Sequence, residues 1–255
     1  MRPASYIGVT GFMNREEIHP VLAALPLGAQ QLVMVGVLVS GKTLRGMPNK
    51  YPRRYPKSDR ISDIFFDRHN VLNLLHFATD EQEKLVGDMF RAQDEAGPHC
   101  HGFQINVPWP EKKILESYKK TSFFTRKTIV LQCGPTAIEA CEGSAKKIAQ
   151  RVRSYGDSID YVLIDGSAGK GKRFDYEFAK RCFAELEKIE HVGFGIAGGL
   201  AANNLEQLRP LVRQFGAFSI DAEGRLRDLH DDLDVYAAQK YLFAAHNQFR
   251  RYETT

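Results

Sequence analysis

Chemically competent side chains in this sequence gather where short apolar runs stop. These points are Thr10-Gly11, Ser40 to Lys42, His76 and Asp80, Gln104 and Asn106, Gln132-Cys133, Asp165, Ala197-Gly198-Gly199 and Asp221-Ala222-Glu223-Gly224. An aspartate ending a buried run, as Asp165 does, is expected to have its pKa raised by desolvation, which suits a proton donor. A thiol such as Cys133 becomes a base only beside a cation. His76 and Lys42 are further titratable candidates for that role. Adjacent glycines at Gly198 and Gly199, ahead of a helix predicted from Asn203, let backbone N–H groups close on an anion. With Gly224 they form the expected cradle for a phosphate or another small anion.

Three other motifs have plainer readings. Gly166-Ser167-Ala168-Gly169-Lys170-Gly171-Lys172 fits G-x-x-x-x-G-K, but Arg173 stands where a nucleotide-binding loop needs Ser or Thr for Mg²⁺. A basic lid explains it as well, with Lys172 touching the ligand. His99-Cys100-His101 precedes its apolar run and lacks a second ligand cluster, so no metal site is assigned. Acids at Asp228, Asp231 and Asp232 suit the start of the last predicted helix.

The elements that must position these residues form a rhythm of eight strand-then-helix units. Predicted strands cover 6–11, 31–40, 71–78, 102–107, 128–133, 161–166, 193–198 and 217–221. Predicted helices cover 15–25, 60–69, 81–96, 111–120, 137–153, 174–190, 203–215 and 231–250. Nearly unbroken apolar strands such as Tyr161-Val162-Leu163-Ile164 are those of a parallel sheet covered on both faces. Eight units without a linker predict a single (β/α)8 TIM barrel with a parallel eight-stranded core, one domain over 1–255. In such a barrel these strand ends share the C-terminal face, where sites are built, and phosphate sits after strands seven and eight. The basic, proline-containing stretch 41–59 is a long βα loop on that face.

Composition sets the outer bounds. The chain has 255 residues, 43% hydrophobic and 26% charged, which excludes collagen-like, disordered and disulfide-scaffold classes. Its net charge of +4 is too small to argue for nucleic acid, but it leaves room for an anionic small molecule. No run is long enough to span a bilayer, and the start, Met1-Arg2-Pro3-Ala4-Ser5-Tyr6, has no secretory h-region. Four scattered cysteines fit reduced thiols in the cytoplasm. The apolar last helix fits a monomer or a homodimer.

Several segments, in order, carry a family resemblance. Gly198-Gly199-Leu200-Ala201-Ala202-Asn203-Asn204-Leu205 resembles the Gly-Gly-Leu-x-x-x-Asn segment of phosphoribosylanthranilate isomerases. Thr10-Gly11-Phe12-Met13-Asn14-Arg15-Glu16-Glu17 is similar to their Cys-Gly-Ile-Thr-Asn-x-Glu-Asp, and Gln104-Ile105-Asn106 to Gln-Leu-His. Leu163-Ile164-Asp165 with the segment 169–175, and Ser58-Asp59-Arg60, complete the match. The resemblance implies a (β/α)8 isomerase of tryptophan biosynthesis that performs an Amadori rearrangement without metal or organic cofactor. It makes Asp165 the acid, Arg60 a carboxylate binder, and Gln104, Gly198, Gly199 and Gly224 substrate-binding residues. The family's cysteine is Thr10 here and its histidine is Asn106, both polar orienting groups. Its last-turn hydroxyls are replaced by Ala222 and Glu223. Two alternatives stay open: a diverged barrel enzyme for another carboxylated or phosphorylated substrate, and a ligand-binding barrel without catalysis.

Overall fold

Side chains along a strand alternate faces, and in a closed parallel sheet one face looks into the barrel and the other onto helices. The computed structural model describes residues 1–121, 127–166 and 175–250. Its sheet is a closed barrel in the order β1 to β8, every neighbouring pair parallel. The strands are β1 Tyr6–Thr10, β2 Leu32–Ser40, β3 Val71–Ala78, β4 Gly102–Ile105, β5 Thr128–Cys133, β6 Tyr161–Asp165, β7 Gly193–Ala197 and β8 Ser219–Ala222. Closure sets Ile7 against Ile220, Gly8 against Asp221 and Val9 against Ala222.

Alternation divides the core in two. Tyr6, Met34, Leu72, Leu74, Val130, Tyr161, Leu163 and Ala197 fill the barrel. Their strand neighbours, among them Val9, Val35, Leu75, Phe103, Leu131 and Ile196, pack in the layer that includes the helices. Each such side chain is worth about 1.5–3 kcal/mol when buried, so a one-residue slip would expose a whole set. This parity decides what reaches the mouth. Thr10, His76, Gln104, Gln132, Asp165 and Asp221 share the parity of the inner core; Cys133 has the opposite one.

The helical layer departs from the sequence expectation in three places. The helix expected over 137–153 is two helices, Pro135–Ala140 and Ala145–Tyr155. Glu142 and Gly143 take φ of 55° and 63° between them, and Ser144 caps the second by accepting from the Lys147 amide. The helix expected from Asn203 starts as a 3-10 turn over Ala202–Leu208 and becomes α-helical at Arg209–Phe215. Between β2 and β3, the helix expected over 60–69 shrinks to Ile61–Ile64. The last helix, Val235–Arg250, buries Tyr241, Leu242 and Phe249 but exposes Tyr236 and Phe243. Among the described residues no helix is long and apolar enough to cross a membrane.

The basic stretch after β2 is more ordered than a loop. It opens with a short helix, Gly41–Leu44, capped by Ser40 and Thr43, and carries 3-10 turns at Pro52–Arg54 and Ser58–Arg60. Asn49 ties it down, accepting from Ser40 Oγ at 2.6 Å and donating to Thr43 Oγ1 at 3.0 Å. Its arginines then reach past β1 to the segment that follows β8.

Candidate active site

One hydrogen-bonded chain of inward side chains crosses the barrel just below its mouth. Thr10 Oγ1, ending β1, donates to the two oxygens of Asp221 at 2.9 and 3.1 Å. Gln104 Nε2 on β4 donates to Asp221 Oδ2 at 3.0 Å and to Gln132 Oε1 at 3.1 Å. Gln132 Nε2 on β5 donates to Asp165 Oδ2 at 2.9 Å. The space for this chain comes from glycine. A Cβ on Gly36 would lie 2.4 Å from Thr10 Oγ1, and one on Gly8 would lie 2.7 Å from Asp221 Oδ1.

Asp221 is the carboxyl whose chemistry this environment changes most. Burial raises its pKa to about 7; the bonds from Gln104 and Thr10 pull it down, and the charges of Glu223 and Asp165 push it further up. A carboxyl titrating there exchanges protons at neutral pH, as a general base or acid must. His76 on β3 stands across the same space, and burial lowers its pKa against the raising effect of Glu223 and Asp165. Its Nδ1 is enclosed without a hydrogen-bond partner.

Above the chain lies a cavity of about 470 Å³, bounded by His76, Gln132, Asp165 and Glu223 and walled by Tyr51, Tyr55, Pro108 and Pro135. It continues into a recess of about 100 Å³ lined by Asp221, Gly198, Gly199, Gly224 and Arg225. The recess floor is a turn that only glycine favours, with φ of 105° at Gly198 and 64° at Gly199. Asn204 staples that turn: Ala201 N–H donates to its Oδ1 at 2.9 Å, and its Nδ2 donates to the Gly199 carbonyl at 2.7 Å.

Glu223, at the rim of this recess, is drawn aside by Arg54. Arg54 Nη1 donates to Glu223 Oε1 at 2.9 Å, while its Nε and Nη2 bind Asp231 at 2.6 to 2.9 Å. Burial works against the charge on Arg54, but the bonds to Asp231 and the charge of Glu223 outweigh it and raise its pKa. The neighbouring Arg53 pairs with Asp232. Among the described residues, three arginines of the basic segment 41–59 are therefore neutralised by carboxylates, while Lys170, Lys172 and Arg173 lie outside the described residues. Arg45 is matched by Glu81 and Asp88, Arg53 by Asp232 and Arg54 by Glu223 and Asp231. Lys50 and Arg54 are the cations of that segment that line the large cavity.

The residues singled out in the sequence scatter around this geometry. Asp165, Gly198, Gly199 and Gly224 line the recess. Asn106 is on the wall of the larger cavity. Thr10 and Gln104 lie buried beneath, touching Asp221 rather than open space. Cys133 is not brought there: its parity turns it outward among helix residues, and burial raises its thiol pKa far above the range of a base. Arg60 is not brought there either; its side chain is 70% exposed and pairs with Asp63. Lys172 and the glycine-rich segment from 167 onward lie outside the described residues. His101 is structural, its Nδ1 accepting from the Asn73 amide at 3.0 Å. Asp221, at a strand end, and Arg54, in the basic stretch 41–59, carry no assigned role from sequence alone. The alternation Phe218-Ser219-Ile220-Asp221-Ala222 was the available signal for Asp221; none existed for Arg54.

No family model matches the chain. The curated N-(5'-phosphoribosyl)anthranilate isomerase of Pyrococcus abyssi is 30% identical over 82 residues, which are 32% of this chain and 36% of that protein. The match thus spans about a third of that relative's length. The solved phosphoribosyl anthranilate isomerase of Thermotoga maritima superposes with a TM-score of 0.62 at 16% identity, covering 96% of this chain and 100% of that one. A phosphoribosyl anthranilate isomerase in complex with reduced 1-(o-carboxyphenylamino)-1-deoxyribulose 5-phosphate gives 0.61 at 15% identity over 96% and 100%. The structural likeness shows the (β/α)8 fold, and with the curated relative it bears out the resemblance read from the sequence.

Proposed function

We propose that this barrel is an isomerase acting on a phosphorylated sugar amine of the phosphoribosylanthranilate type, with Asp221 in place of the missing cysteine base. One observation carries the reading. The carboxyl with a pKa of about 7 is held by Thr10, the residue at the family's cysteine position, and shares a recess with Asp165 and the Gly198-Gly199 turn. The departure at position 10 is thereby compensated from the opposite side of the β1–β8 seam.

In this reading the phosphate sits on backbone N–H groups of the glycine turn and of Gly224. Asp165 gives a proton to the ring oxygen as the C1–O bond breaks and the amine lone pair forms C1=N. Asp221 takes the proton from C2, whose bonding electrons become the C1=C2 bond of an enol amine. Return of that proton to C1 as the C2 hydroxyl loses its own gives the ketose. C1 is reduced and C2 oxidised within one molecule, so no external oxidant or reductant enters.

Purified protein given phosphoribosylanthranilate is expected to form the carboxyphenylamino-deoxyribulose phosphate, and to support growth of a tryptophan auxotroph that lacks this isomerase. Absence of both sinks the reading. The stapled turn supplies a second measurement. Asn204→Ala removes both side-chain bonds that hold the turn and is expected to weaken inorganic phosphate binding by about tenfold, equivalent to one or two modest hydrogen bonds. Unchanged phosphate affinity would place the anion elsewhere.

A different anionic substrate is favoured by one feature, the Glu223 carboxylate at the rim of the phosphate recess. If Glu223→Ser raises phosphate affinity severalfold while leaving phosphoribosylanthranilate unturned, the site serves that other substrate.

A further inference from the structure

The rearrangement proposed above moves two protons, and the two carboxyls account for only part of their travel. The C2 hydrogen goes to C1, which Asp221 can manage alone. The C2 hydroxyl proton must leave as the ketone forms, and Asp165 must regain the proton it gave to the ring oxygen. A carrier between that hydroxyl and Asp165 closes the cycle.

We propose that His76 is that carrier: its imidazole takes the proton of the substrate's C2 hydroxyl and returns it to Asp165. The inference rests on the isomerase reading. His76 borders both the large cavity and the recess, as do Gln132, Asp165, Glu223 and Arg54. It is 6% exposed, and its Nδ1 is enclosed with no partner, so the ring makes no structural hydrogen bond through that atom. With Nδ1 enclosed, Nε2 is the nitrogen available to a ligand. A buried polar ring without a partner costs stability, and a packed leucine would fill the same inward position, as Leu74 does one step below.

The charges around His76 agree with transient protonation. Asp165 and Glu223 both favour the imidazolium, while burial favours the neutral ring. Arg54 and Lys50 are the cations on the same cavity wall, and Arg54 is occupied by Glu223 and Asp231. The resting ring is therefore neutral and able to accept a proton, and the carboxylate of Asp165, once it has protonated the ring oxygen, draws that proton onward. Every proton is accounted for: the hydroxyl proton ends on Asp165, and the Asp165 proton ends on the opened C4 hydroxyl.

His76→Gln keeps a polar end but cannot carry a proton. It is expected to lower kcat about 100-fold with KM changed less than threefold, in the range usual for loss of a proton carrier. Substrate deuterated at C2 gives the discriminating readout. When ketonisation becomes the slow step, the isotope effect at C2 shrinks toward one and the solvent isotope effect grows, which a merely structural histidine would not cause. In wild-type protein, titration with reduced carboxyphenylamino-deoxyribulose phosphate is expected to shift the imidazole NMR signal missing from His76→Gln. Full activity of the variant, a loss confined to KM, or an unmoved His76 signal overturns the role of His76 and leaves the isomerase reading intact. Absence of turnover by wild-type protein overturns both.

Discussion

Asp221→Asn is expected to bind inorganic phosphate as the wild-type protein does and to turn substrate over about 10³-fold more slowly. The substitution keeps shape and volume, and the amide oxygen can still accept from Thr10 Oγ1, now 2.9 Å from Asp221 Oδ1, at the loss of the bond that Oδ2 accepts from Gln104 Nε2. What disappears is the only atom at that place able to take a proton from carbon at neutral pH, and positioned acid–base groups contribute about 10²–10⁴ in rate. Wild-type turnover is expected to rise with pH through about 7, as the base form of Asp221 is populated. Thr10→Ala, which removes a bond that favours the ionised carboxylate, moves that rise to higher pH. A pH–rate profile flat from 5 to 9, or full activity of Asp221→Asn, would remove Asp221 from the chemistry.

The same substitution has a stability signature of opposite sense. The folded-state pKa of Asp221, about 7, lies above its unfolded value of 3.8. Between those two values the unfolded chain has released a proton that the folded protein keeps. The stabilising linkage is complete below about pH 4 and is lost as pH rises through 7, above which an ionised carboxylate remains buried. Asparagine has no such dependence. Relative to wild type, the variant should therefore gain about 1.4 kcal/mol per pH unit between about pH 4 and 7, about 4 kcal/mol in all, and then level off. Urea unfolding of both proteins across this range measures the difference, because the other titrating groups cancel. Activity lost and stability gained at one position marks a strained functional group, not a structural one.

Much of this barrel was legible because its cause is local. Strands such as Tyr161–Asp165 and Thr128–Cys133 announce themselves by unbroken apolar runs, and their ends locate the mouth. Within those ends, parity separates what faces inward from what does not. Gln132 and Cys133 are adjacent, each bears a group that could do chemistry, and they face opposite ways. The last strand was ambiguous for the same reason: Asp221 and Glu223 share one parity, and only the fold decides that one is buried beneath the recess and the other turned aside. Long-range pairing was invisible. The segment 41–60 offers Arg45, Arg53, Arg54 and Arg60 with nothing local to rank them. The partners that select Arg54 for the mouth, Glu223 and Asp231, lie 169 and 177 residues away. Resemblance pointed to Arg60, because it compares neighbours in sequence and not partners across the fold.

That long-range pairing makes Arg54→Met the most disruptive change expected in the segment. The Arg54 side chain is 16% exposed and those of Glu223 and Asp231 are 23% and 32%, so removing the guanidinium leaves two carboxylates largely out of water without their hydrogen-bonded counter-charge, Arg227 acting on them only through space. Breaking a buried pair from one side costs about 3–5 kcal/mol, and the partial exposure here places the loss near 2–3 kcal/mol. Function should suffer for a separate reason. A released Glu223 turns its charge on the neighbouring recess of Gly198, Gly199 and Gly224, where it repels the phosphate. Affinity for inorganic phosphate should fall about tenfold or more, the effect of about 1.4 kcal/mol of repulsion. The double variant Arg54→Met with Glu223→Gln removes the offending charge along with its partner. It should recover most of the lost phosphate affinity and part of the stability, Asp231 alone remaining unpaired, with a coupling energy between positions 54 and 223 of about 1–3 kcal/mol. Simple additivity of the two single changes would mean that the contact holds neither the basic segment nor Glu223 in place. Recovery would establish that a segment following β2 governs an anion site after β7 and β8, by keeping one carboxylate turned away from it.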